Sequence, residues 1–103
     1  MAEAFSKDLE GVMQFPKEGI FSTVFSKTEK QNCTLMCLSA GTDIEEHTST
    51  KDGIVLVLKG RGVFRLVNED VKMKPGVFIS MPANTPHSLK AEEDLAILLI
   101  LTE

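Results

Sequence analysis

The chain has 103 residues, 43% of them hydrophobic and 25% charged, and a net charge of −4 with the histidines neutral. That is enough apolar material to pack one domain, and too little chain for a second. Its lysines and arginines are scattered rather than clustered, which argues against a nucleic-acid footprint and against a polybasic membrane contact.

The first eleven residues are polar and acidic, unlike a signal peptide, and the first ten have room for one short helical turn or for a loose segment. From there turn-forming residues recur at 16–19, 40–43, 51–53, 60–62, 68–70, 74–76, 82–86 and 92–94. Stretches rich in Val, Ile, Leu, Phe and Thr lie between them. Turns about every ten residues predict a sandwich or barrel. Strands are expected at 20–27, 32–39, 44–49, 54–59, 62–67, 71–74, 77–81, 87–91 and 95–102. The result is one all-β domain over 1–103 with a core of about 20–102. No window after residue 11 repeats its apolar residues at helical spacing.

Two strands stand apart. Residues 54–58 and 95–101 are apolar on both faces, so both faces are expected to be covered. For the C-terminal strand a second copy of the chain is an attractive cover, because such a strand left bare invites aggregation. A homodimer is therefore expected; burial inside one sandwich is the alternative. At 95–101 this longest apolar run is far short of the roughly 20 residues that span a bilayer. A cytoplasmic location with no membrane partner follows as the expectation.

The two cysteines, Cys33 and Cys37, fall four residues apart on one strand. Their Cα atoms would be roughly 13 Å apart, beyond the reach of a disulfide. They read as reduced thiols packed as small apolar groups, with Cys37 as a candidate pocket-lining thiol.

The chemistry concentrates around the two histidines. In residues 41–49 strand alternation puts Glu45, His47 and Ser49 on one face. A histidine flanked by polar groups on its own side suits the lining of a polar pocket. In residues 76–87 a strand leads to Met81, then a loop bounded by Pro82 and Pro86, then His87. The prolines stiffen the loop and deliver His87 from a rigid corner. Arg61 and Arg65 share one strand face, where an exposed barrel surface explains them. Phosphate-cradling glycine loops, a nucleophile elbow and CxxC pairs are absent from the sequence.

These segments carry a resemblance. Gly41, five residues, His47, one, Ser49, three, Gly53, six, Gly60 follows the spacing of the first motif of the cupin superfamily. Gly76, five, Pro82, one, Asn84, two, His87, three, Ala91 follows that of the second. The chain thus resembles a single-domain cupin. The resemblance implies a cupin-type jelly-roll β-barrel (a double-stranded β-helix) with a pocket inside one end. It also implies a divalent metal (iron, manganese, nickel or zinc) held by three histidines and a glutamate. Here His47 and His87 fill the first and last ligand positions, Ser49 replaces the second histidine and Gly53 the glutamate. Glu45, on the expected His47 face, is the substitute carboxylate, and Asp52 lies beside the vacated position.

The leading expectation is a small-molecule-binding cupin with a degenerate metal site. His47, Ser49 and His87 are its polar contacts, and Met81 and Phe78 are lining candidates, together with Met36, Val55, Val57, Phe64 and Leu99. His47 and His87 are also the candidates for acid–base catalysis. The alternatives are a metal-dependent dioxygenase-like or isomerase-like enzyme using His47, His87 and Glu45, and a non-catalytic homodimer that senses a ligand.

Overall fold

The computed structural model describes residues 4–102. Nine strands follow in order: β1 Ile20–Lys27, β2 Gln31–Leu38, β3 Asp43–His47, β4 Asp52–Lys59, β5 Gly62–Leu66, β6 Glu69–Met73, β7 Phe78–Met81, β8 His87–Ala91 and β9 Leu95–Thr102. Each boundary lies within two residues of its expected position. A single 3-10 turn, Glu10–Val12, precedes them. Residues 1–3, part of the segment expected to hold a helical turn, lie outside the described residues.

The strands form two antiparallel sheets. One has five strands in the order β1-β2-β9-β4-β7, the other four in the order β3-β8-β5-β6. Strands distant in sequence therefore lie side by side, β9 between β2 and β4 and β8 between β3 and β5, giving the jelly-roll barrel expected from the sequence. The sheets close on a core that includes Leu38, Val55, Val57, Phe64, Ile79 and Ile97. Phe64 is 1% exposed; fully burying a side chain of this kind contributes about 1.5–3 kcal/mol.

The double-sided strands show why they lack alternation. In β4, Val55 and Val57 point into the barrel and are buried, while Ile54, Leu56 and Leu58 point outward and are half-buried. On the outer face a second, smaller core forms from Leu35, Cys37 and Ala96, covered by Val12, Met13 and Phe15 from the N-terminal segment. Cys37 therefore belongs to this outer core and does not line the barrel. Cys33 is half-buried, and both thiols are free. Among the described residues no helix is long and apolar enough to cross a membrane.

Candidate functional site

β3 and β8 are antiparallel neighbours, and their register makes His47 and His87 direct partners. Side chains opposite each other across such a ladder start only about 5 Å apart. The two imidazole rings lie 4.2 Å apart, centre to centre, tilted by 58°. His87 also stacks on Phe64, with centres 5.7 Å apart and planes within 6°. Phe64 comes from β5, the other neighbour of β8.

A bulge in β3 decides which side chains join the pair. Ile44 pairs with Leu89 and His47 with His87, so three steps along β3 match two along β8. An extra residue in one strand reverses the side-chain alternation beyond it. His47 thereby shares the inward side with Ile44, and Glu45 does not. Glu45 instead borders a groove on the outside of the four-stranded sheet, with Glu46, Arg65 and Asp70. The side chain expected to supply a carboxylate to the pair thus lies on the other side of the sheet.

Each imidazole is fixed by the backbone. Nδ1 of His47 lies 2.8 Å from the Glu45 carbonyl oxygen, and Nδ1 of His87 lies 2.8 Å from that of Thr85. A carbonyl only accepts, so both Nδ1 atoms carry the proton and donate. Neither ring makes a further hydrogen bond through Nε2 to the described residues. The loop before His87 is tied down by two adjacent amides. Ala83 N–H donates to the Asp52 carboxylate at 2.8 Å, and Asn84 N–H donates to the Ser49 carbonyl at 2.7 Å. Asn84 adopts positive φ, a conformation its type tolerates.

Two contiguous spaces meet at the pair. The outer one, about 100 Å³, is bordered by Ser49, Lys51, Thr85 and Pro82 together with the two histidines. The inner one, about 180 Å³, is walled by Met36, Ile44, Val55, Phe64, Leu89 and Ile97. His47, His87, Met81 and Leu99 border both. Of the expected lining residues, Met36, Val55, Phe64, Met81 and Leu99 are in place, and Ser49 is at the mouth. Val57 is core and does not reach either space. Phe78 is on the outside of the barrel, 60% exposed. It is three positions from Met81, and on a regular strand that odd spacing puts the two on opposite faces. Ile44, Leu89, Ile97 and Thr85 were not expected at the site. The inward parity of β8 from His87 to Leu89 is the signal that places one of them.

The implied divalent metal can be tested against these donors. Two imidazole Nε2 atoms are available, and no group of three or more His, Cys, Asp or Glu side chains suited to a metal exists among the described residues. Non-haem iron centres use two histidines and a carboxylate, and catalytic zinc keeps three protein ligands. At Gly53, the vacated glutamate position, an added Cβ would meet Met81 Cε at 3.2 Å and Leu101 Cδ2 at 3.3 Å. Asp52 is engaged with the loop amide of Ala83. The carboxylate's space is filled and the neighbouring carboxylate is committed elsewhere, so the donor set does not fit the implied centre.

A family model described as a cupin domain matches residues 34–102. Over 61 residues the chain is 31% identical to the acireductone dioxygenase of Exiguobacterium sibiricum, a stretch covering 54% of this chain and 34% of that protein. The chain thus spans about a third of the length of the curated relatives it matches. A protein of unknown function from Streptococcus pyogenes superposes with a TM-score of 0.87 at 26% identity, covering 100% of this chain and 90% of that one. A cupin superfamily protein from Desulfitobacterium hafniense gives a TM-score of 0.87 at 16% identity, with coverage of 99% and 94%, a likeness of fold alone. With well over half of its length matched by that family model, the chain belongs to the cupin family.

Proposed function

We propose that the chain binds a small organic molecule in the space behind His47 and His87, and that these two imidazoles are its polar contacts. One observation carries this reading: a cross-strand imidazole pair, 4.2 Å between centres, opens onto a chamber walled by apolar side chains. Apolar pockets with a few convergent polar groups are the usual form of a small-molecule site. Ser49 adds a hydroxyl at the mouth. A fixed imidazole with a free nitrogen can also take up and return a proton, so the same pair is the candidate for acid–base work on the bound molecule.

Because the chain has only two histidines, nitrogen-15 labelling of histidine reads the site directly. A small-molecule screen followed on the imidazole signals is expected to give binders that shift both rings. Binders that stabilise the protein yet shift neither ring would refute this reading.

The second reading is a metal-dependent, dioxygenase-like enzyme, favoured by the local identity to acireductone dioxygenase. It requires a stoichiometric divalent ion in untagged protein, lost in the His47→Ala, His87→Ala double variant. Only trace metal after growth with iron, manganese, nickel and zinc supplied would refute it.

A further inference from the structure

We propose that the molecule taken by this site is a hydrogen-bond donor with a compact apolar body, of the class of vicinal diols and related hydroxyl compounds, rather than a carboxylate. This rests on the reading of the cavity as a small-molecule site and narrows its ligand.

The argument starts at the backbone. The Glu45 and Thr85 carbonyls each accept from Nδ1 at 2.8 Å. In its neutral form an imidazole holds one proton, and the carbonyl at Nδ1 draws that proton to Nδ1 in both rings. The remaining nitrogen, Nε2, is then a lone-pair acceptor in both. Two acceptors held side by side call for a partner that brings two donors. A carboxylate brings only acceptors, and its lone pairs would face theirs. Both orienting carbonyls belong to the main chain two residues before the ring they hold, one at the β3 bulge and one in the loop clamped by Asp52. The tautomer of each neutral ring is therefore set by the fold and does not depend on a side chain that could turn away.

The rest of the cavity agrees. Among the described residues, those bordering the two spaces include no aspartate or glutamate, and Lys51, at the outer space, is the one cation besides the imidazoles. The inner chamber, at about 180 Å³, holds the equivalent of about six water molecules. That is room for a ring or chain of a few carbons. Phe64, stacked on His87, and Met81 provide a flat and a deformable wall against that carbon body.

The test compares three probes that share one carbon ring: cis-1,2-cyclohexanediol, cyclohexanecarboxylate and methylcyclohexane. Binding is followed on the nitrogen-15 imidazole signals and by calorimetry. The diol is expected to bind, to shift both Nε2 signals, and to exceed methylcyclohexane by about tenfold in affinity. In a His47→Phe variant, which keeps an aromatic ring and removes the acceptor, that advantage is expected to shrink while methylcyclohexane binding stays. Spectra of the free protein, recorded at a pH where the imidazoles are neutral, should show the proton on Nδ1 in both rings. A proton found on Nε2, or tighter binding of the carboxylate than of the diol at the imidazoles, overturns the donor-ligand inference and leaves the small-molecule site standing. Failure of all three probes to shift either imidazole counts against both.

Discussion

Gly60 is the position where the fold tolerates least change. It sits at the end of β4 with φ +88, in the left-handed region. A Cβ there would overlap the backbone carbonyl of Asp94, with the Asp94 carbon and the Leu95 Cα both at 2.9 Å. Gly76 is its natural control, because φ is +95 but nothing lies within 4 Å of an added Cβ. Gly76→Ala bears only the backbone term, about 1–2 kcal/mol. Gly60→Ala bears the same term plus an overlap of main chain with main chain, which no side-chain rotation relieves. The strand junction must open, and the total should reach about 4 kcal/mol or more, a loss large enough to identify its cause. Against a stability of about 5–15 kcal/mol for a domain, that removes between about a quarter and four-fifths of it. The chain has no Trp or Tyr, so urea unfolding is followed by far-ultraviolet circular dichroism. With an unchanged slope of about 1–3 kcal/mol per molar urea, the two midpoints should differ by about 1 M or more. Midpoints that coincide would refute the steric reasoning.

Val67 and Asn68 link β5 to β6, and of the two only Val67 has positive φ, at 57°. That is the pattern of a type II′ turn, which takes glycine at its first central position. Val67→Gly should therefore stabilise the protein by about 1 kcal/mol, the relieved strain exceeding the added chain entropy; a lower urea midpoint would contradict this. The expected homodimer is tested at Leu98, half-buried and outward-facing on β9. If copies pair through this face, Leu98→Lys should convert a dimer to a monomer in analytical sedimentation, and a dimer that survives the change pairs elsewhere.

Much of the fold was legible because it rests on side-chain period and turn chemistry. The unbroken apolar runs of β4 and β9 correctly announced strands without a fully wet face. What covers part of that outer face was not legible: Val12, Met13 and Phe15 show no strand or helix period, and only the tertiary structure lays them over Leu35, Cys37 and Ala96. At the site, motif spacing placed His47 and His87 but could not see the β3 bulge. Alternation counted from Glu45 therefore kept the carboxylate with His47, whereas one extra residue carried it to the opposite side. Phe78 failed for a simpler reason. Its size suggested a pocket wall, while its odd spacing from Met81 already pointed it outward.

The two acids nearest the missing ligand position show what became of that position. Asp52 is adjacent to Gly53, yet its carboxylate holds the amide of Ala83 in the loop that presents His87. Glu45 is two residues from His47, yet its contribution to the pair is its carbonyl and not its side chain. Met81 and Leu101 close over Gly53 from inside. Restoring a glutamate at residue 53 would require moving both apolar side chains, so a single substitution does not rebuild a metal centre here. These two residues act through position, one clamping a loop with its carboxylate and the other orienting a ring with its backbone carbonyl. What they orient is a pair of imidazoles, each with Nδ1 held by a backbone carbonyl, beside a space walled by apolar side chains.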